Sequence, residues 1–125
     1  DLAGVARWAL DTAAEYAKVR EQFGRPIGSF QALKHRMADM YVAVESARAV
    51  VGDAIAAPGP TTAALARLSA TEAFCAVAGE AIQLHGGIAI TWEHDMQLYF
   101  KRAYGSAQLL GAPDEQLRRL ESEVL

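Results

Sequence analysis

The sequence predicts an all-α protein: an antiparallel up-and-down four-helix bundle with a short extra C-terminal helix. Apolar residues recur every three or four positions along four long segments of the chain. The connections between these segments are short, and those after the first three segments contain glycine or proline. Helices joined by short connections pack against each other in antiparallel pairs. No segment has the pattern of a strand, so we expect none.

The first two helices are expected on either side of a turn. The first should run from Leu2 to Gln22, with an apolar stripe formed by Leu2, Val5, Ala9, Ala13 and Tyr16. Gly24, Pro26 and Gly28 then favour a sharp turn. Ser29 is the expected N-cap of the second helix, from Phe30 to Ala56. Its stripe comprises Phe30, Leu33, Met37, Met40, Val44, Ala47, Val51 and Ile55, broadened by Tyr41.

The third and fourth helices follow the break at Pro58-Gly59-Pro60. The third should begin at Thr61 or Thr62 and end at Leu84 or His85, where Gly86-Gly87 fits a left-handed stop. It is apolar around most of its circumference, which is typical of the central helix of a bundle or of a subunit interface. The fourth should run from Glu93 to Leu110, and Pro113 suits the first position of the last helix.

Composition narrows the classes of partner. A chain of 125 residues with 52% hydrophobic content fits one domain. The net charge of −3 argues against nucleic acid or an anionic membrane surface as partner. We also expect no membrane span, because charged residues interrupt the Ala-rich stretch 62–82. The single cysteine, Cys75, leaves no internal disulfide and favours a cytoplasmic location.

The turn after the first helix carries the residues best suited to bind a ligand. Arg20, Gln22, Phe23 and Gln31 place a bidentate cation, two amides and an aromatic ring around it. From the residues alone, an ordinary helical hairpin with a solvated arginine is the alternative.

A metal site is not expected, because His35, His85 and His94 are not at helical spacing from one another. We expect each to be a surface or capping histidine. We expect Cys75 to be a small buried hydrophobe.

Two motifs carry a resemblance to a known family. The stretch Arg-Glu-Gln-Phe-Gly-Arg-Pro-Ile-Gly-Ser-Phe-Gln, residues 20–31, resembles a signature of the acyl-CoA dehydrogenase family, and Gln-Leu-His-Gly-Gly, residues 83–87, is a second match at the spacing that the family has. The similarity runs from Leu2 to Arg102. It implies the C-terminal helical domain of a longer subunit, which the first residue, Asp1, also favours. It further implies FAD as cofactor, an acyl-CoA thioester as substrate and an electron-transfer flavoprotein or similar acceptor.

The resemblance also assigns roles to single residues. Arg20 corresponds to an arginine that reaches across a dimer to the FAD pyrophosphate. Gln22, Phe23 and Gln31 would line the same groove. The segment with Gln83, Gly86 and Gly87 corresponds to one that approaches FAD in a neighbouring subunit. These roles imply a homo- or hetero-oligomer, a dimer or tetramer, and an isolated domain without activity.

One position departs from the family pattern. Most members carry a Tyr-Glu-Gly-Thr-like segment whose Glu removes the α-proton of the thioester. In the ungapped register that Glu falls on Leu110, and a gapped register over residues 104–108 deletes it. The base could instead lie upstream of this chain, or the chain could belong to a silent subunit of a heteromer. A carboxylate such as Glu93 or Asp95 is a third alternative, although both more simply open the fourth helix. A helical interaction module without cofactor is the remaining reading of the residues alone.

Overall fold

The computed structural model describes residues 1–124, and within them the chain forms five α-helices. These helices are α1 (Leu2–Val19), α2 (Gln31–Ala56), α3 (Pro60–His85), α4 (Met96–Ala107) and α5 (Pro113–Val124). They build the predicted up-and-down bundle with a further C-terminal helix. The third helix is central, as its apolar circumference predicts, because it packs against each of the other four.

The core is made largely of alanine. The face that α1 buries comprises Ala3, Ala6, Ala9, Leu10, Ala13 and Ala17, and α3 contributes a similar face. Small side chains let helix backbones approach closely. The larger fully buried side chains are Phe74, Met96, Val44 and Val77, which fill the space between helices. Tyr41 and Ile55 lie outside this core, at 52% and 74% exposure, so their expected burial was wrong.

The first helix is shorter than predicted, because a small β-hairpin replaces its last turn. Strands β1 (Glu21–Gln22) and β2 (Arg25–Pro26) pair antiparallel, with Glu21 opposite Pro26 and Gln22 opposite Arg25. Phe23 and Gly24 both have positive φ, at 56° and 76°, as the two central residues of a tight hairpin require. The prediction that the chain has no strand was therefore wrong at this one place.

The helix ends also differ in detail from the prediction. Phe30, and not Ser29, occupies the N-cap of α2. The Ser29 hydroxyl instead donates to the Pro26 carbonyl at 2.6 Å, which closes the single 3-10 turn Ile27–Ser29. At the end of α3, Gly86 has the positive φ expected of a glycine stop, 67°, but its ψ of −148° lies outside the left-handed helical region that was predicted. A second 3-10 turn, Gly86–Ile90, follows it.

One segment, Pro60–Ile90, is long and apolar enough to cross a membrane by length and composition. The expectation that no stretch approaches a membrane span was therefore wrong for this segment. In the bundle it forms α3 and the 3-10 turn that follows, and the alanine-rich face of α3 lies against α1, α2, α4 and α5. The buried central helix of a bundle has the same composition, because it too is surrounded by apolar side chains.

Candidate functional site

A cleft of about 600 Å3 lies at one end of the bundle, where α1 ends, α2 begins and α3 ends. Five of the seven residues predicted to contact a cofactor line it: Arg20, Gln22, Phe23, Gly86 and Gly87. The two sequence motifs, which are more than fifty positions apart, therefore meet at one site. Gln31 and Gln83 are exposed and lie outside the lining of this cleft. Their proposed contact with a cofactor stays a prediction.

The backbone of Arg20 is fixed by two hydrogen bonds, whereas its side chain is available to bind a ligand. It ends α1 in an extended conformation and donates its N–H to the Tyr16 carbonyl at 2.9 Å. Its own carbonyl accepts the Ile27 N–H at 2.8 Å. Within residues 1–124 no carboxylate forms an ion pair with the exposed guanidinium. The side chain can therefore bind an anion in the cleft, in the bidentate geometry that suits phosphate.

The hairpin contributes an aromatic wall. Phe23, at its tip, is 93% exposed and stands edge-on to Phe30, with ring centroids 6.1 Å apart. The Arg25 guanidinium lies 3.9 Å from the centroid of the Phe30 ring and stacks on it. A bulky residue at positive φ with an almost fully exposed ring is strained and poorly solvated. These costs favour a role for Phe23 in contact with a ligand.

The opposite wall is glycine backbone. A Cβ built on Gly86 or Gly87 meets no atom within 4 Å, so both positions border open space. The φ of 67° at Gly86 also disfavours any residue with a side chain. A ligand in the cleft can approach the main chain here closely.

His85 is a residue of the cleft that the sequence analysis missed. It is buried at 4% exposure, so the expectation of a surface or capping histidine was wrong for it. Its Nδ1 lies 2.7 Å from the Ala81 carbonyl oxygen, which assigns the proton to Nδ1, and its Nε2 has no partner within residues 1–124. Burial lowers the pKa of His85, and the neighbouring His94 lowers it further, against the opposing effect of the Ala81 hydrogen bond. The imidazole is therefore neutral.

A signal for this burial was present in the sequence. Phe74, Ala78, Ala81 and His85 follow one another at helical steps of three or four, so they lie on one face of α3, and all four are buried. The other two histidines fit the prediction. His35 is exposed, and His94 Nδ1 accepts the Met96 N–H at 3.1 Å, next to the start of α4. Among the residues that the structure describes, no group of His, Cys, Asp and Glu could hold a metal ion.

Leu110 lies at the opposite end of α3 from the cleft. It borders Pro60, Ala63 and Ala64, whereas the cleft is reached at Leu84. The intervening length of α3 is about 30 Å at ~1.5 Å per residue. Leu110 is 88% exposed with a φ of 59°. The cleft and Leu110 therefore lie on separate surfaces of the chain.

The two alternative carboxylates stand just before α4. Asp95 is its N-cap residue, and its carbonyl accepts the Leu98 N–H at 2.8 Å. Both Glu93 and Asp95 are exposed, and neither lines the cleft. Their positions favour the structural role over that of a catalytic base.

Cys75, on α3, is half-buried, and burial raises the pKa of its thiol, so it stays protonated.

Comparison with known proteins gives matches along the whole chain. Residues 1–125 match the family model described as "Acyl-CoA dehydrogenase, C-terminal domain". The chain is 72% identical over 121 residues to the acyl-CoA dehydrogenase IpdE2 of Mycolicibacterium smegmatis. This match covers 97% of the present chain but 39% of the length of IpdE2.

Solved structures show the same fold. The ChsE4-ChsE5 complex from Mycobacterium tuberculosis superposes with a TM-score of 0.92 at 38% identity, over 98% of this chain and 35% of that one. A structure described as an FAD-dependent dehydrogenase superposes with a TM-score of 0.92 at 30% identity, over 98% of this chain and 35% of that one.

Proposed function

The chain belongs to the acyl-CoA dehydrogenase family, and from that membership we propose that the whole protein is an FAD-dependent acyl-CoA dehydrogenase. It would form the α,β double bond of an acyl-CoA thioester, with this domain supplying flavin contacts and a subunit interface. The observation that carries the proposal is the meeting of Arg20, Gly86 and Gly87 at one cleft.

The residues of the cleft fit the pyrophosphate part of FAD. Arg20 offers a guanidinium that no carboxylate neutralises within residues 1–124. Gly86 and Gly87 offer open backbone on the facing wall. A charge-assisted hydrogen bond from Arg20 would hold the pyrophosphate, while Phe23 and Phe30 would exclude water from the groove.

FAD, when bound, supplies the acceptor for the hydride that leaves the β-carbon of the thioester. The α-proton must pass at the same time to a carboxylate that is positioned beside it. Leu110 cannot accept a proton, and Glu93 and Asp95 are exposed just before α4 and do not line the cleft. We therefore assign the base to a part of the protein outside this chain, or to a partner subunit.

The second candidate is a catalytically silent subunit that completes the flavin site of a partner. The leucine at position 110 favours it, as does the ChsE4-ChsE5 relative, which was solved as a complex of two proteins. In either case we propose a dimer or tetramer that shares flavin sites, because the cleft and Leu110 lie at opposite ends of α3. We also propose a cytoplasmic location and an electron-transfer flavoprotein or a similar protein as electron acceptor.

The test is the flavin stoichiometry of the full-length protein, measured from flavin absorbance against protein concentration. About one FAD per subunit in the protein expressed alone supports a self-sufficient dehydrogenase, whose base then lies upstream. Little FAD in the protein alone, restored by co-expression with a neighbouring homologue, supports the silent subunit. No FAD under either condition contradicts both candidates.

A further inference from the structure

The two walls of the cleft come from parts of the chain that are far apart in sequence. One wall consists of the end of α1 and the hairpin, with Arg20 and Phe23. The other consists of the end of α3 with Gly86 and Gly87. A ligand that touches both walls needs them at a fixed separation, because hydrogen bonds weaken steeply with distance.

The hairpin wall is attached firmly to α1. A Cβ built on Gly28 would lie 2.9 Å from the backbone oxygen of Ala17, so only glycine permits this close packing. Ile27, which is buried, donates its N–H to the Arg20 carbonyl at 2.8 Å. The hairpin and Arg20 therefore move together with the end of α1.

The glycine wall is attached in the same way to α3. The His85 Nδ1–H donates to the Ala81 carbonyl, one helical turn before it. The Gly86 N–H donates to the Ile82 carbonyl. The position of Gly86 is therefore set by the last turn of α3.

An aromatic stack joins the two walls. Tyr16 stands one helical turn before Arg20, and His85 stands directly before Gly86. Their rings are stacked, with centroids 4.3 Å apart and an interplanar angle of 25°. Since each ring lies beside a residue that would touch the ligand, the stack is placed to fix the distance between Arg20 and Gly86.

We propose that Tyr16 and His85 are positioning residues of the nucleotide site, and that their stacked rings hold Arg20 and Gly86 at the separation that a flavin nucleotide requires. The proposal rests on the proposed function, because it takes FAD as the ligand of the cleft. His85 contributes a flat, uncharged ring and not a hydrogen bond to the ligand. Its Nε2 is inaccessible to solvent and has no partner within residues 1–124.

The test compares variants that keep the flat ring with variants that remove it. Tyr16→Phe and His85→Phe keep an aromatic face, whereas Tyr16→Leu and His85→Leu place a branched apolar side chain there without one. The full-length protein, with its partner subunit if it needs one, is stripped of flavin, and the dissociation constant of FAD is measured for each variant. Thermal denaturation of each variant shows that it is folded.

We expect either Leu variant to bind FAD about threefold to tenfold more weakly, the range that an aromatic pair supports. The Phe variants should stay within about twofold of the parent. The double variant Tyr16→Leu/His85→Leu should lose no more than a single one, because the first substitution already removes the stack. The control is Val44→Ala, in the core on α2, about 16 Å along the helix from Leu33, a residue of α2 that lines the cleft. It should lower the melting temperature without changing FAD affinity.

Two results would overturn the proposal. If His85→Leu binds FAD as tightly as the parent, the stack does not position the walls. If His85→Phe binds FAD as weakly as His85→Leu, the effect belongs to a ring nitrogen of His85 and not to its aromatic face. A parent protein that binds no FAD, alone or with a partner, is a different outcome: it contradicts the proposed function, and the inference falls with it.

Discussion

The guanidinium of Arg67, on α3, donates a hydrogen bond to the backbone carbonyl of Leu109, forty-two positions later in the chain. The same nitrogen also donates to the carbonyl of Ser106, near the end of α4. The carbonyls of a last helical turn have no partner within their own helix. The Ser106 carbonyl also accepts the Leu109 N–H at 3.1 Å, so Arg67 is a further donor to it. Arg67 thus ties the end of α4 and the connection before α5 to the central helix.

We expect Arg67→Met to lower the unfolding free energy by about 1–3 kcal/mol, because it removes the side-chain donor to the Leu109 carbonyl and one of the donors to the Ser106 carbonyl. Methionine keeps most of the aliphatic volume, so the loss reports the hydrogen bonds. The measurement is chemical denaturation followed by circular dichroism. The matched control is Arg118→Met, since the Arg118 side chain is exposed and, within residues 1–124, donates to the Asp114 carbonyl of its own helix. Equal effects of the two substitutions would contradict the role given to Arg67.

Arg20→Met in the full-length protein should weaken FAD binding about tenfold to a hundredfold. The reason is the loss of a charge-assisted hydrogen bond to the pyrophosphate, which is worth about 1.5–3 kcal/mol. Because the Arg20 side chain is exposed, the melting temperature of the flavin-free protein should stay close to that of the parent. Flavin content after gel filtration and a direct FAD titration check both points. Unchanged flavin retention would remove Arg20 from the site.

Arg118→Met is again the appropriate control for this substitution. It removes one exposed guanidinium at the far end of the chain, on α5, and so changes the net charge by the same amount. FAD affinity should not change in this variant. A similar loss in both variants would indicate a general charge effect and not a contact in the cleft.

The buried neutral His85 makes stability depend on pH. In the folded state the pKa of His85 lies below its ordinary value of 6.5, and burial is the largest cause of this shift. The unfolded chain therefore binds more protons than the folded one as the pH falls from that value, and the unfolding free energy falls with it. The groups around the ring that can carry a charge are Tyr16, His94 and, on the same cleft, Arg20.

Between neutral pH and pH ~5, the unfolding free energy of His85→Phe should fall less than that of the parent. The variant lacks the histidine that binds a proton more readily in the unfolded chain than in the folded one. Urea denaturation at a series of pH values measures this slope. His35→Phe, at an exposed position on α2, should keep the slope of the parent. A slope that is the same in His85→Phe as in the parent would contradict the assignment to His85.

Helical periodicity predicted the bundle because the pattern of apolar residues repeats over many turns. The hairpin escaped prediction since each strand has two residues, which is too short to show any pattern. Phe23 also gave no sign of a hairpin turn, because the central residues of such turns are usually Asn, Asp or Gly. Ser29 has the right side chain for an N-cap, but the 3-10 turn that precedes α2 takes its hydroxyl.

The site was predicted through its two motifs, and the fold brings most of their residues to one cleft. The motifs contain no information about Tyr16, because the stack with His85 joins residues on different helices. Gln31 and Gln83 belong to the motifs but lie on exposed faces of α2 and α3 that do not line the cleft. Position in a motif thus indicates the region of a site, whereas the helix face decides which side chains line the cleft.

Gly28 is expected to tolerate no side chain. Gly28→Ala places a Cβ 2.9 Å from the Ala17 backbone oxygen, and the backbone on both sides is held by hydrogen bonds. We expect a loss of about 1–3 kcal/mol in unfolding free energy, the usual cost of overpacking. Hydrogen exchange should show faster exchange at Ile27. The control is Gly52→Ala on α2, where a Cβ meets no atom within 4 Å and alanine favours the helix.

Leu110 combines an unfavourable backbone conformation with a largely exposed side chain. Its φ is 59° and its side chain is 88% exposed, while its carbonyl accepts the Gln116 side-chain N–H at 2.9 Å. Asparagine tolerates the left-handed conformation better than leucine does, so Leu110→Asn should raise the unfolding free energy by about 0.5–1 kcal/mol. It should also leave turnover of the full-length enzyme unchanged, because the proposed base lies elsewhere. Leu109→Asn at the neighbouring exposed position, which has no positive φ, should bring no gain in stability. Loss of turnover in Leu110→Asn would instead place Leu110 in contact with substrate or flavin.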